Sequence, residues 1–207
     1  MKLRWLGHSC FEIELDNGKG IVTDPYDDTV GYPPLHVRAD CVLSSHGHFD
    51  HNYFAAVEGE PEILTQPGEY EVCGAKITGV PSWHDDARGA KRGGNVIFTI
   101  EADGLKLTHL GDLGHLPDTP EQIAAIEGSD VLLIPIGGNF TIDTPQAVQL
   151  IERHRPVAAI AMHYRNRWCG FPVTDCSEFK RLTGAETLPN RVELFKNALV
   201  GCYVMDI

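Results

Sequence analysis

The chain has 207 residues, a formal net charge of −12 and 43% hydrophobic residues, enough for one domain with a sizeable core. The acidic balance disfavours long nucleic acid or an anionic membrane as the main partner. The six cysteines include no Cys-x-x-Cys pair, and the first eight residues lack the apolar core of a signal peptide. We therefore expect a single domain, residues 1–207, with free thiols in a cytoplasmic protein, and a homo-oligomer is compatible with this composition.

The first quarter of the chain is typical of short strands around a turn cluster. Residues 2–6 and 10–15 partly alternate, and residues 20–23 end at Asp24, where the following proline closes the strand. An aspartate at such a point commonly caps a turn. Residues 26–40 show no period and are expected to form a loop that borders a pocket.

Residues 44–51 concentrate metal-ligand side chains in a short segment after an apolar strand, residues 41–43. The candidate ligands are His46, His48, Asp50 and His51. A lone histidine is more often a hydrogen-bonded surface or core residue, but packing does not explain four ligand-type residues in six positions. We also expect Asp50 to cap a helix that runs to about residue 57. The segment therefore predicts ligands for two adjacent metal positions.

Short strands follow, and two of them end at a further candidate ligand. The predicted strands are residues 62–66, 69–73, 75–80, 95–101 and 105–110. His84 lies just after the third strand and Asp112 just after the last. An aspartate turn after a hairpin is common, but this carboxylate could also bridge two cations with its two oxygens. The glycine-rich residues 88–94 are predicted to be a mobile lid or binding loop.

The second half adds helices, and its strand ends supply the last candidates. Helices are predicted at residues 119–127, 146–154 and 175–182, and strands at 131–136, 156–162, 191–194 and 201–205. His163 follows the second of these strands. Arg165 and Arg167 could bind a phosphate or carboxylate of a substrate, or be solvated surface charges. His8 and His115 could contact substrate or relay protons, or be turn histidines.

The motif His-x-His-x-Asp-His, with its partners in order along the chain, resembles the metallo-β-lactamase superfamily. The resemblance covers nearly the whole chain, and segments 6–9, 111–115 and 162–172 are similar to a compact branch of bacterial and archaeal metal-dependent hydrolases. More distantly the chain is similar to ascorbate-6-phosphate lactonase and to the N-acyl-phosphatidylethanolamine phospholipase D group. The implied fold is α/β, a four-layer αββα sandwich. Many true β-lactamases carry cysteine where this chain has Asp112, which argues against antibiotic hydrolysis.

The resemblance also implies a ligand set for two divalent ions. One ion would be held by His46, His48 and His84, the second by Asp50, His51 and His163, with Asp112 bridging and Asp24 bracing the loop. Nitrogen-rich ligands suit Zn²⁺, with Mn²⁺ or Fe²⁺ as alternatives. A shared water with its pKa lowered to about 7 would supply a bridging hydroxide, and Asp50 could orient it or shuttle its proton.

The expected function is hydrolysis of an ester, lactone, amide or phosphodiester bond in a small and, if the arginines act, anionic substrate. Two other classes stay open: a phosphodiesterase or nuclease for small nucleotides, and a metal-binding module without turnover. The loops that would select the substrate carry no readable motif, and fold alone does not identify it.

Overall fold

Strands form in this chain wherever short apolar or alternating runs are closed by glycine, proline or aspartate. The computed structural model describes all 207 residues and contains sixteen strands, three α-helices and two 3₁₀ turns. The strands are β1 (Lys2–Gly7), β2 (Cys10–Glu14), β3 (Gly20–Thr23), β4 (Val37–Arg38), β5 (Cys41–Leu43), β6 (Val57–Glu58), β7 (Glu62–Leu64), β8 (Gly68–Val72), β9 (Ala75–Trp83), β10 (Gly94–Ala102), β11 (Leu105–His109), β12 (Val131–Pro135), β13 (Ala158–Met162), β14 (Glu186–Leu188), β15 (Arg191–Glu193) and β16 (Gly201–Met205). The helices are α1 (Pro120–Ile126), α2 (Thr144–His154) and α3 (Ser177–Thr183), and the 3₁₀ turns are Asp28–Val30 and Phe54–Ala56.

Two mixed sheets form the body of the molecule. The six-stranded sheet has the order β15-β1-β2-β3-β5-β7, and the eight-stranded sheet has the order β14-β16-β13-β12-β11-β10-β9-β8. A two-stranded sheet, β4 with β6, is separate from both. This architecture, with flanking helices, confirms the predicted α/β fold class.

The main core lies between the two sheets. One cluster of 41 buried residues contains Leu3 and Ile13 from the six-stranded sheet and Ile77, Leu133 and Ile160 from the eight-stranded sheet. At about 25 cal/mol per Å² of buried apolar surface, this shared core is the main stabilising term of the fold. It also fixes the position of the two sheets relative to each other.

The outer face of the six-stranded sheet is covered by a loop rather than by a helix. Because side chains alternate along a strand, Ile21 and Leu43 face the main core while Val22 and Val42 face the other way. Those two valines belong to a second cluster of 12 buried residues, with members from residues 26–39. The expectation that this loop borders the pocket was wrong for the metal-centre cavity described below, since no residue of 26–40 lines it.

The helix expected from Asp50 to residue 57 is absent, and only the 3₁₀ turn Phe54–Ala56 forms there. Val57 instead pairs with Val37 in the two-stranded sheet. The Asp50 carboxylate faces His8 and therefore does not cap a helix. The other predicted strands and helices form with small shifts at their ends. None of the three helices is long and apolar enough to cross a membrane.

Candidate metal centre

Strand direction explains why residues far apart in sequence meet at one edge of the sandwich. β1 and β3 both pair antiparallel with β2, and β5 pairs parallel with β3, so these three strands end at the same edge. In the other sheet β9, β11 and β13 also share one direction. Candidate residues lie directly after these six strands: His8, Asp24, His46 to His51, His84, Asp112 and His163.

The structure brings six of the seven predicted ligands together in two sets, and the seventh, Asp112, lies between them. His46, His48 and His84 place their ligand atoms within 4.8 Å of one another. A second set with the same spacing contains the three residues predicted for the second ion and one more: His8, Asp50, His51 and His163. The sequence prediction had offered His8 only as a substrate or proton-relay candidate. The grouping otherwise follows the predicted division between two ions.

Asp112 lies between the two sets. Its Oδ2 is 3.2 Å from Nε2 of His84 and 3.2 Å from Nε2 of His163. Its Oδ1 is 3.3 Å from Nε2 of His51. Oδ2 therefore faces one histidine of each set, and Oδ1 faces a further histidine of the second set, so this carboxylate lies within reach of both sets.

The donor atoms fit a divalent cation. Buried polar atoms normally have a hydrogen-bond partner, and exceptions call for an explanation such as an ion. Of six buried side-chain atoms without a partner, five lie in this cluster. They are His8 Nδ1, His46 Nε2, His51 Nε2, Asp112 Oδ1 and His163 Nδ1. Imidazole nitrogens and carboxylate oxygens are the ligands that Zn²⁺ takes in catalytic sites.

Asp24 stabilises the metal-binding loop through hydrogen bonds, which is the role that the family resemblance implied for it. Its Oδ1 accepts a hydrogen bond from the Ser45 backbone N–H at 2.7 Å, and its Oδ2 accepts from Ser45 Oγ at 2.7 Å and from His51 Nδ1 at 2.8 Å. The Ser45 hydroxyl in turn accepts from His46 Nδ1 at 3.0 Å. This network leaves Nε2 of both histidines free to bind a metal.

A backbone carbonyl orients the third histidine of the first set. Nδ1 of His84 donates to the carbonyl of Phe140 at 3.0 Å, which leaves its Nε2 directed at Asp112. A glycine at position 111 is required for the adjoining turn, since a Cβ there would collide with the side chains of Asn95 and Ser45. Asn95 Oδ1 accepts the Asp112 backbone N–H at 2.9 Å and so fixes that residue as well.

Burial and neighbouring charges shift the pKa values of the cluster residues in different directions. Burial and the adjacent His51 lower the pKa of His46 to about 3. Burial would raise the pKa of Asp112, but His163 and His51 hold it well below its usual range. Burial would lower the pKa of His51, but Asp112 and Asp24 hold it well above its usual value. A bound cation would replace the proton on His51, because metal ligands must be deprotonated.

His8 is fully buried inside the cluster. Its Nε2 lies 3.2 Å from Oδ2 of Asp50, and its ring centroid is 4.2 Å from that of His163. Burial and His163 lower its pKa to about 4, so the ring is neutral near pH 7 and carries a single N–H donor for hydrogen bonding. Of the four tentative substrate residues, His8 is therefore the one that the structure brings to the candidate ligands.

The other three tentative substrate residues lie outside this site. His115 accepts the Trp83 backbone N–H at Nε2 and donates from Nδ1 to the carbonyl of Leu116, as a turn histidine does. Arg167 donates to the carbonyl of Ile207, and Arg165 is exposed. None of the three lines the cavity at the cluster, and their contact with a substrate stays a prediction.

A cavity of roughly 330 Å³ opens over the candidate ligands. It is lined by five candidate ligands, two cationic side chains and three phenylalanines. The ligands are His48, Asp50, His84, Asp112 and His163, and the other residues are Lys91, Arg92, Phe49, Phe140 and Phe171. A larger cavity of roughly 470 Å³ lies beside residues 44–47 and shares only His46 with the cluster. The smaller cavity is the one that gives access to the candidate ligands.

The lining residues Lys91 and Arg92 come from the loop that was expected to be mobile. Instead the Asp85 carboxylate accepts four backbone N–H groups from Ala87, Gly89, Lys91 and Arg92, at 2.7 to 2.9 Å. The loop is thus folded around one side chain. The sequence signal was present as an aspartate directly before a glycine-rich segment, a pattern that favours a side-chain-supported turn.

Comparison with known proteins identifies the family. The model of a β-lactamase superfamily domain matches residues 2–163. A UPF0173 metal-dependent hydrolase of Thermococcus onnurineus is 34% identical, with 89% of this chain and 92% of that protein covered. A relative of the same description from Carboxydothermus hydrogenoformans is 32% identical, with 87% of this chain and 91% of that protein covered.

Solved structures agree with this assignment. A Thermotoga maritima structure assigned as a Zn-dependent hydrolase of the metallo-β-lactamase superfamily is 38% identical, with a TM-score of 0.82 and coverage of 99% of this chain and 97% of that one. A metallo-β-lactamase fold protein of Bacillus subtilis, 12% identical, has a TM-score of 0.65 with coverage of 99% and 96%, which shows the fold alone. The expected likeness to the lactonase stays a prediction. The chain belongs to the metallo-β-lactamase superfamily and, within it, to the UPF0173 family of metal-dependent hydrolases.

Proposed function

We propose that this metal-dependent hydrolase uses two divalent ions, zinc in the first instance, to cleave an ester, lactone, amide or phosphodiester bond of a small molecule. The observation that carries the proposal is the position of Asp112 between two complete ligand sets. A single-ion site would not need a second set of imidazoles and a carboxylate on the far side of that aspartate.

The residues around the cavity have distinct roles in this proposal. His46, His48 and His84 would hold one ion, and Asp50, His51 and His163 the other, with Asp112 shared. Bound ions would supply Lewis acidity that activates water and stabilises negative charge on the reacting oxygen. Asp24 and the Phe140 carbonyl keep the imidazoles in the tautomers that present Nε2 to the ions.

Asp50 is the residue best placed to orient a water molecule in the cavity. It lines the cavity, and its Oδ2 accepts from Nε2 of His8 at 3.2 Å. Burial opposes its ionisation, but the neighbouring His51 and His8 hold the pKa of Asp50 well below its usual value. An ionised carboxylate at this position can orient a water molecule in the cavity for attack, and its low pKa makes it a weak acceptor of that water's proton.

Metal analysis of the purified protein tests the dinuclear proposal. We expect about two equivalents of zinc in the native chain and clearly less in His48→Ala, because that variant removes one nitrogen from the first ligand set. His36→Ala is the matched control, since His36 is an exposed histidine outside the cluster. A native stoichiometry of one would contradict the two-ion proposal.

Turnover is tested with chromogenic ester, lactone and phosphodiester substrates, with and without added Zn²⁺ or Mn²⁺. We expect hydrolysis of at least one class that is lost with a chelator and restored by metal. Full metal occupancy without turnover of any substrate would favour a metal-binding module instead.

A further inference from the structure

The loop of residues 85–93 presents one cation to the cavity without a partner of its own. Lys91 pairs with Asp86 at 2.6 Å, and Arg88 lies 3.8 Å from Asp118. Arg92 is half-buried, lines the cavity, and has neither a carboxylate within 4.0 Å nor a hydrogen-bond acceptor for its guanidinium. A guanidinium fork is suited to binding a carboxylate or phosphate with two parallel hydrogen bonds.

Arg92 is also held in place before any ligand arrives. Its backbone N–H donates to Asp85 at 2.7 Å, and its guanidinium carbon lies 5.4 Å from the centroid of the Phe140 ring. That stacking restricts the side chain and leaves the edge of the guanidinium free. Because less side-chain entropy is then lost on binding, such a group binds an anion more tightly than a mobile surface arginine would.

Three phenylalanines form an apolar wall beside this cation. The ring centroid of Phe171 lies 6.3 Å from that of Phe49 and 6.3 Å from that of Phe140, with both pairs close to edge-to-face. Phe49 is 51% exposed, which leaves much of this large apolar side chain in contact with water. An apolar ring or short chain of a ligand would gain contact with this wall as it approaches the candidate ligands.

The other residues that line the cavity do not provide a partner for the Arg92 guanidinium. Apart from Lys91, which pairs with Asp86, the titratable groups of the lining are the carboxylates Asp50 and Asp112 and the candidate ligand imidazoles, all of which the proposed ions would engage. The protein as a whole carries a net charge of −12, so an anion entering from solvent meets an unfavourable field over most of the surface. An unpaired arginine at the mouth of the site offsets that repulsion where the ligand enters.

We infer that Arg92 and the wall of Phe49, Phe140 and Phe171 select the substrate class: small molecules in which an apolar, ring-sized body joins the scissile group to an anionic carboxylate or phosphate. This inference rests on the proposed function, because the scissile group is placed at the metal centre. Arg92 binds the distal anion, and the phenylalanines bind the apolar body. Arg165 and Arg167, which the sequence analysis offered as candidate anion-binding residues, have no part in it.

Binding of hydroxamates to the zinc-loaded protein tests the inference without relying on turnover. Benzohydroxamate carries a metal-binding head and an apolar ring, and its 3- and 4-carboxy derivatives add a distal anion. By calorimetry, we expect the better carboxy derivative to bind the native protein about fivefold to tenfold more tightly than the parent, the size of a partly exposed charge-assisted hydrogen bond. Arg92→Gln should abolish this difference while changing the affinity for the parent less than about twofold.

Two further variants separate the roles of the wall and of charge in general. Phe171→Ala should weaken the parent and the carboxy derivatives by the same factor, because it removes apolar contact only. Arg165→Gln removes an exposed arginine outside the cavity and should leave all affinities unchanged. Equal affinities of parent and derivatives in the native protein would overturn the inference, and so would an equal loss for both in Arg92→Gln.

Failure of the inference can be told apart from failure of the proposed function. Parent hydroxamate that binds a zinc-containing protein, with no gain from the carboxylate, removes the substrate class alone. A protein that retains no zinc and binds neither hydroxamate removes the proposed function, and the inference falls with it. A 4-nitrophenyl succinate monoester compared with 4-nitrophenyl butyrate extends the test to turnover, where Arg92→Gln should raise KM for the anionic ester only.

Discussion

His8, Asp24 and His163 each adopt a left-handed backbone conformation, with φ of 52°, 43° and 52°. Non-glycine residues adopt this region at a cost of about 1 kcal/mol or more. All three follow a strand directly, and the reversed φ turns each side chain toward the same point. Local backbone strain is therefore located at residues that build the metal centre, where such strain is expected to be functional.

At the scale of single residues, we expect His8→Ala to weaken zinc binding. The hydrogen bond from His8 to Asp50 orients a ligand carboxylate, and loss of such a partner typically costs about tenfold to a hundredfold in metal affinity. A competition titration against a zinc-binding dye measures this for each ion. His8→Gln, which keeps an N–H donor, should retain part of the affinity. Unchanged affinity in His8→Ala would show that His8 only fills space.

The sequence identified candidate ligands that the structure brings together, but it carried little information on which cations line the cavity. Metal ligands are recognised from chemistry and position, since His84, Asp112 and His163 each end a strand that the pattern of apolar residues reveals. A cation near a ligand in sequence carries no such information. Arg165 is two residues from His163 and lies outside the cavity, whereas Arg92 reaches it through a loop fold that depends on Asp85.

At the scale of elements, the loop of residues 85–93 depends on one carboxylate. Burial alone would raise the pKa of Asp85, but backbone N–H groups led by that of Arg92 lower it to about 2. Because the folded pKa lies below the unfolded value near 3.9, this carboxylate stabilises the loop above about pH 4. That contribution is lost as pH falls from about 4 toward 2.

We expect Asp85→Asn to open this loop at neutral pH. An asparagine side chain has one acceptor oxygen in place of two, so part of the four N–H groups would lose their partner. Amide hydrogen exchange should rise for residues 86–93 in the variant, and zinc content should stay near native because no candidate ligand is altered. In the native protein the same amides should lose protection between about pH 4 and pH 2. Native-like protection in the variant would contradict the role given to Asp85.

The missing helix after Asp50 shows a limit of local patterns. Tyr53, Phe54 and Val57 have helical spacing, but Val57 is drawn into pairing with Val37 and the Tyr53 N–H donates to the carbonyl of Pro25. Those partners lie far back in the chain. The conformation after Asp50 is therefore decided by backbone pairing with residues distant in sequence. A short stretch of sequence around Asp50 does not contain that information.

At the scale of the whole molecule, bound metal should contribute to folding stability. An ion present at a hundredfold excess over its Kd stabilises the native state by about 2.7 kcal/mol, which for a chain of this size raises Tm by roughly 5–10 °C. We therefore expect chelation to lower Tm by at least this amount in a thermal unfolding experiment. The fall should be smaller in His48→Ala, which starts with less metal. A Tm indifferent to chelator would mean that the cluster is stable without ions.

The two sheets contribute the candidate ligands in nearly equal shares, with the loop of residues 44–51 from one and His84, Asp112 and His163 from the other. Ions bound there would link the two sheets along the edge at which the candidate ligands lie. Catalytic capacity and survival against cellular proteases would then rise and fall together with metal supply. A cell short of the metal would lose the enzyme itself, rather than store an inactive copy of it.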